Sequence, residues 1–144
     1  MINVTDDRAV KWFAAKLENL RAIGIDSFKF DAGEASYMPQ GECQCSDGMS
    51  CHQWCLFILS SINALGMASN PNLVTQQYVK AVSQFGGMIE TRAAYRNQDS
   101  ATFVRMMDKH SHWGYDNGLK TMIPSALHLS IIGYHFVIPD MIGK

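Results

Sequence analysis

The sequence has almost no net charge and no long hydrophobic run. Its 12 Lys and Arg residues against 13 Asp and Glu residues give a formal charge of −1 over 144 residues. The basic residues are scattered rather than gathered into a stripe, which argues against binding of nucleic acid or another polyanion. The longest apolar stretch, residues 55–59, is far shorter than the about 20 residues of a membrane-spanning helix. No basic segment followed by an apolar one opens the chain, so no signal peptide is predicted and location stays open.

The chain has the length of one ordinary domain with a core, and its hydrophobic pattern alternates between helical and strand periods. Apolar residues spaced by three and four positions predict helices at residues 5–23, 73–85 and 119–132. Short apolar or β-branched segments predict strands at residues 25–30, 88–95 and 134–138. Residues 96–118 are expected to form a polar loop with one helical turn at residues 103–105. Thr5 or Asp6 can cap the first helix.

This alternation predicts a parallel sheet in an α/β fold. Three strands cannot close a barrel, which needs about eight strands and roughly 250 residues. We therefore interpret residues 1–144 as a fragment of a (β/α)8 TIM barrel, with about three β/α units and an irregular inserted segment. In such a barrel, polar residues at the carboxyl ends of the strands lie at the catalytic mouth.

Two short segments place isolated aspartates next to aromatic or small residues. Asp31 ends a predicted strand within Phe28–Glu34, and Asp116 lies in His112–Asn117. Two carboxylates brought to one pocket are what retaining glycoside hydrolysis requires. Each aspartate taken alone also fits a turn or a helix cap, so the residues by themselves leave both interpretations open.

The same segments carry a family resemblance. Residues 28–34, Phe-Lys-Phe-Asp-Ala-Gly-Glu, resemble the nucleophile motif of glycoside hydrolase family 31, and residues 112–117, His-Trp-Gly-Tyr-Asp-Asn, resemble its acid/base motif. Residues 133–143 are similar to a late barrel strand of that family. Residues 35–39 and 71–76 point to the subgroup of myogenesis-regulating glycosidases.

The resemblance implies a retaining α-glycosidase that hydrolyses O-glycosidic bonds of α-linked galactosides, glucosides or xylosides. Asp31 would be the nucleophile and Asp116 the general acid/base. An α-glycoside is then the expected partner, and the chemistry needs neither a metal nor an organic cofactor. Animal members of the resembled subgroup belong to the secretory pathway, whereas oligomeric state and membrane association remain open.

The resemblance also suggests substrate-binding residues. Trp113 would line the sugar site, and Arg92 would bind a sugar hydroxyl or the nucleophile. Lys29 would share the strand face of Asp31, bond the substrate and favour the ionised carboxylate. Asp140 would lie at the mouth beside them.

Two further assignments concern neighbouring residues. Arg105 is an alternative to Arg92 as the substrate-binding arginine, because the spacing from Arg92 to Asp116 is longer than the family usually shows. Glu34 is interpreted as a structural residue that bonds a neighbouring loop rather than as a third catalytic carboxylate.

All four cysteines lie in residues 41–62, which do not resemble the family. The first two, Cys43 and Cys45, are closer together than the C-x₂₋₄-C pairs of structural zinc sites. A disulfide pair is favoured over zinc, and the preferred hypothesis is that this segment is an in-frame retained intron. A barrel loop tolerates such an insertion.

A different class of function is also open. The family pattern has barrel strands before residue 25 and after residue 143, which this chain lacks. An incomplete barrel exposes strand edges and apolar surface, so the alternative is an inactive truncated fragment that acts, if at all, by binding another polypeptide.

Overall fold

The computed structural model describes residues 2–37 and 70–140. These two ranges contain three α-helices and four short β-strands, with no helix between the second and third strands. The helices are α1 (Asp7–Ala22), α2 (Asn72–Ser83) and α3 (Met122–Ile131). The strands are β1 (Lys29–Phe30), β2 (Glu90–Thr91), β3 (Phe103–Arg105) and β4 (Val137–Ile138). Single turns of 3₁₀-helix cover Ala35–Tyr37 and Leu119–Thr121.

The four strands form one parallel sheet whose spatial order, β1-β2-β3-β4, is their order in the chain. Phe30 lies opposite Thr91, Thr91 opposite Val104, and Val104 opposite Val137. Parallel neighbours joined in chain order are the arrangement of a (β/α)8 barrel, and helices lie in the connections from β1 to β2 and from β3 to β4. The predicted α/β fold with parallel strands is confirmed.

The strand β3 corrects the prediction of a helical turn at residues 103–105. Phe103 N donates to Ile89 O at 3.0 Å on one side, and Val104 N donates to Phe136 O at 2.7 Å on the other. The segment is therefore inserted between two strands that satisfy its backbone groups. Three residues are too few to show an alternating pattern in the sequence, which is why β3 was not predicted.

The predicted helices are present with shifted ends. Asp6 caps α1, because its carboxylate accepts a 2.9 Å hydrogen bond from Arg8 N, as expected of an N-terminal cap. The third helix was predicted from residue 119, but its first turn is a 3₁₀-helix and α3 begins at Met122. No helix in the described parts of the chain combines the length and apolar character needed to cross a membrane.

The core lies between the sheet and the first two helices. Phe30, Val82, Phe85 and Ile89 are buried there, and Phe28 packs on Phe30 and Phe85 with ring centroids 5.8 and 5.7 Å apart. Phe28 and Phe30 thus share one face of the sheet, as predicted. Successive strand residues point to opposite faces of the sheet. Asp31, which follows the buried Phe30, therefore lies on the face opposite to this core.

The apolar side of α3 is different. Ile123, Leu127 and Ile131 recur at four-residue steps, yet they are 63%, 60% and 83% exposed. The periodicity predicted the helix, and the described residues leave this side of it uncovered.

Candidate active site

Asp31 follows β1 directly and opens a tight turn. Its Oδ1 atom accepts a 2.9 Å hydrogen bond from Ala32 N, and its side chain remains 55% exposed. Ala32 and Gly33 have positive φ angles of 57° and 91°. The turn therefore presents the carboxylate at the carboxyl end of the strand while the chain reverses behind it.

The helix α2 holds this turn from the side. Tyr78 donates from its hydroxyl to the backbone carbonyl of Asp31 at 2.9 Å, and Thr75 donates to the carbonyl of Gly33 at 2.8 Å. A Cβ atom on Gly33 would lie 2.4 Å from Tyr78 Cδ1. Only glycine leaves room for the tyrosine ring at this close approach.

Arg92, just past β2, joins several groups near Asp31. Its Nε atom lies 3.1 Å from Asp31 Oδ1 and 2.9 Å from Glu34 Oε1. Its Nη2 atom donates to Tyr37 Oη at 2.9 Å, and Nη1 is 3.8 Å from Asp108 Oδ1. The hydrogen bond to Glu34 is the main cause that raises the pKa of Arg92 above its usual value, so the guanidinium remains charged.

Arg105, the last residue of β3, lies deeper, with its side chain 7% exposed. It forms an ion pair with the buried carboxylate of Asp140 and lies 3.3 Å from Glu90 Oε1. Its Nη2 atom is 3.3 Å from Asp108 Oδ1 and 4.0 Å from Asp31 Oδ1. Arg92 and Arg105, the two alternatives for the predicted substrate-binding arginine, both lie near Asp31, and Arg92 is the closer.

Asp140 follows β4, and its side chain is held by contacts rather than exposed to solvent. Its side chain is fully buried, and its Oδ2 atom accepts from Lys109 N at 2.7 Å. The predicted role of Asp140 at the mouth stays a prediction, and its carboxylate contacts Arg105 and the backbone of Lys109. Lys29 lies beside Glu90 in the sheet register and is exposed.

Asp116 and Trp113 lie on the loop that follows β3. The carboxylate of Asp116 is 81% exposed and lies 2.6 Å from His112 Nε2. This hydrogen bond lowers the pKa of Asp116 below its usual value. Trp113 is 67% exposed, with Lys120 Nζ 5.8 Å from its ring centroid. The contacts that join Asp31 to the two arginines do not extend to either residue.

The arrangement is thus a cluster of acidic side chains around two guanidinium groups. The carboxylates lie in β2 or in the segments that follow β1, β3 and β4, and they are Asp31, Glu34, Glu90, Asp108 and Asp140. In the described ranges no three His, Cys, Asp or Glu side chains are grouped so as to hold a metal ion.

Sequence reasoning missed Asp108 as a member of this cluster. Asp108 lies three residues beyond the end of β3. Because that strand was not predicted, Asp108 lay in a predicted loop and nothing marked it as a site residue. The interpretation of Glu34 as structural agrees with its bond to Arg92. The cysteines and the proposed insertion at residues 41–62 lie outside the described residues, so the structure does not test those hypotheses.

The fold and the charged cluster together define a class: a parallel α/β barrel segment with carboxylates and arginines at the carboxyl ends of its strands. Residues 1–143 match the glycosyl hydrolases family 31 TIM-barrel domain, and the chain belongs to this family. It is 35% identical to the myogenesis-regulating glycosidase of Mus musculus and 28% identical to the SITS-binding protein of Tetronarce californica, in each case over 99% of the chain. It spans 17% and 18% of the lengths of these two relatives.

Proposed function

We propose that the protein to which these residues belong is a retaining α-glycosidase and that Asp31 is its nucleophile. The observation that supports this proposal most is the position of Asp31 at the carboxyl end of β1, 3.1 Å from the guanidinium of Arg92. An exposed carboxylate held by a fixed cation in a family 31 barrel suits attack on an anomeric carbon. The membership in the family supports the reaction class.

The chemistry needs two carboxyl groups. In the first step an oxygen of Asp31 attacks the anomeric carbon, and the glycosidic bond breaks while the acid gives its proton to the departing oxygen. In the second step water loses a proton to that same residue and attacks the anomeric carbon, which frees Asp31. The sequence prediction assigns the acid/base role to Asp116.

The neighbouring side chains fit supporting roles. Arg92 bridges Asp31 and Glu34, so it would orient the nucleophile and could also contact a sugar hydroxyl. Lys29 and the exposed ring of Trp113 remain proposed sugar contacts, since aromatic faces and charged donors are common in such sites. Asp140 would act by holding Arg105.

The test uses the longest gene product that contains these residues, assayed with aryl α-galactosides, α-glucosides and α-xylosides. We expect hydrolysis of one class, with an α-configured sugar as the first product seen by proton NMR. The variant Asp31→Asn should lose activity by at least about 10³-fold, as removal of a covalent nucleophile does. Asp26→Asn, an exposed residue ahead of β1, is the matched control.

A slow 5-fluoroglycosyl fluoride should label the same protein, and mass spectrometry should place the sugar on the peptide that contains Asp31. A β-configured first product, or a label on another residue, would contradict the proposal.

A second candidate is a non-catalytic polypeptide that binds another protein, and the uncovered side of α3 favours it. Ile123, Leu127 and Ile131 form an exposed apolar stripe of the kind that marks an interaction surface. If this candidate holds, a second copy of the chain can serve as the partner, so the isolated 144-residue chain should self-associate in sedimentation velocity without any glycosidase activity. Replacing Leu127 and Ile131 with Gln should then return it to the monomer.

A further inference from the structure

We propose that Tyr37 is a specificity-determining residue of this site and that its hydroxyl group donates a hydrogen bond to a hydroxyl of the sugar bound at Asp31. The inference rests on the proposed function, because it needs a sugar next to the proposed nucleophile. Tyr37 is the last residue of the 3₁₀ turn that follows Asp31 in the chain, so its side chain is delivered to the site by the same segment.

The turn after β1 brings two side chains to one guanidinium group. Tyr37 N donates to Glu34 O at 3.0 Å, which closes the 3₁₀ turn. Glu34 Oε1 lies 2.9 Å from Arg92 Nε, and Tyr37 Oη accepts from Arg92 Nη2 at 2.9 Å. Because Arg92 Nε is also 3.1 Å from Asp31 Oδ1, the same guanidinium group holds both the proposed nucleophile and the tyrosine hydroxyl.

Few groups of the charged cluster are open to a ligand. The side chains of the two arginines are at most 14% exposed, whereas those of Asp31 and Asp108 are 55% and 53% exposed. Tyr37 is 56% exposed. Among the described residues whose side chains bond to either guanidinium group, Tyr37 is therefore the one that is both exposed and uncharged.

The hydroxyl group of Tyr37 keeps a donor for this ligand. A tyrosine hydroxyl can accept a hydrogen bond and donate one. Here the oxygen accepts from Arg92 Nη2, and within residues 2–37 and 70–140 the hydrogen has no acceptor. A bond accepted from a cation strengthens the donor, because hydrogen bonds in a chain polarise one another. The ionised carboxylates of the cluster can only accept, so Tyr37 offers a sugar hydroxyl the complementary donor.

The alternative is that Tyr37 only holds Arg92 in place. Loss of the hydroxyl group would then disturb the guanidinium group and impair every substrate by the same factor. A direct bond to the sugar contributes only on substrates that carry the bonded hydroxyl, because a site built for that hydroxyl discriminates against analogues without it. The two roles therefore differ in how the effect of a substitution depends on the substrate.

The experiment combines a change in the full gene product with changes in its substrate. Tyr37→Phe removes the hydroxyl group, and monodeoxy analogues of the nitrophenyl α-glycoside that the wild type hydrolyses each remove one sugar hydroxyl. We expect Tyr37→Phe to lose about tenfold to hundredfold in kcat/KM on the parent glycoside. On one deoxy analogue the loss should be less than about threefold, because the bond is already absent.

Tyr95→Phe is the matched control. The hydroxyl of Tyr95 also accepts from a side chain, Asn70 Nδ2 at 2.9 Å, but not from a guanidinium group that contacts Asp31. This variant should keep wild-type kcat/KM on every substrate, and circular dichroism checks that both variants fold. Calorimetric binding of the same glycosides to proteins that also carry Asp31→Asn repeats the comparison without turnover, so it serves where hydrolysis is slow.

A loss of the same size on all analogues, or no loss on the parent glycoside, would overturn the inference and leave the retaining mechanism intact. Full activity of Asp31→Asn, in contrast, would overturn the proposed function itself.

Discussion

The hydroxyl of Tyr78 donates a 2.9 Å hydrogen bond to the backbone carbonyl of Asp31. A helix with no proposed catalytic residue thus holds the turn that presents the proposed nucleophile. The ring of the same tyrosine covers Gly33, which leaves no room for a side chain there. The position of the carboxylate therefore depends on a packing contact made 47 residues away in the chain.

The close approach at Gly33 predicts a specific loss of stability. The φ angles of Gly33 and Gly24 are both positive, at 91° and 101°, but a Cβ atom meets Tyr78 only at Gly33 and has nothing within 4 Å at Gly24. Both alanine variants should therefore share the backbone cost. Gly33→Ala should lose about 1–3 kcal/mol more than Gly24→Ala because of overpacking, as measured by urea unfolding. Equal losses would show that the tyrosine ring moves aside without cost.

The environment of Tyr78 predicts a dependence of stability on alkaline pH. Burial, and then the negative charges of Asp31 and Glu34, raise the pKa of Tyr78 to about 12, against about 10 in an unfolded chain. The folded protein thus keeps this proton longer than the unfolded chain. Its stabilising contribution is complete below pH 10 and is lost as the pH rises towards 12.

We therefore expect the free energy of unfolding of the wild type to fall more steeply between pH 10 and 12 than that of Tyr78→Phe. At pH 7 the variant should be less stable by about 0.5–1.5 kcal/mol, because the hydrogen bond to Asp31 is lost. Tyr115→Phe, at a residue that is 75% exposed, is the control. Parallel curves for Tyr78→Phe and the wild type would contradict the assigned pKa.

Much of the fold could be predicted, because helical periodicity and the aromatic pair Phe28 and Phe30 are local signals. The alternation of elements gave the parallel sheet, and the motif around Asp31 located the proposed nucleophile. What failed was β3, whose identity depends on the strands at its two sides rather than on its own three residues.

That one error had a consequence for the site. Because β3 was predicted as part of a loop, neither the burial of Arg105 nor the place of Asp108 at a strand end could be inferred. The place of Asp108 beside Arg92 and Arg105 is a long-range property that no local pattern in the sequence indicates.

The ion pair of Arg105 and Asp140 predicts a non-additive pair of substitutions. Both side chains are buried, and removing one partner of a buried pair commonly costs about 3–5 kcal/mol. Arg105→Met and Asp140→Leu should each be strongly destabilised in urea. The double variant should be more stable than the sum of the two losses implies, by at least about 1 kcal/mol.

The recovery should remain incomplete, because Asp140 also accepts a hydrogen bond from Lys109 N and Arg105 also contacts Glu90. Strict additivity of the two losses would show that the ion pair contributes nothing to stability.

The bond between His112 and Asp116 predicts how the exposed carboxylate titrates. This hydrogen bond is the main cause that lowers the pKa of Asp116 below 3.8. Because the folded pKa lies below the unfolded value, the stabilising contribution is complete above the unfolded pKa and is lost as the pH falls through the folded one. In His112→Ala the carboxyl carbon of Asp116, followed by NMR, should titrate at a higher pH than in the wild type. His128→Ala, on α3, is the control that should leave the midpoint in place. An unchanged midpoint in His112→Ala would mean that the histidine does not hold this carboxylate in solution.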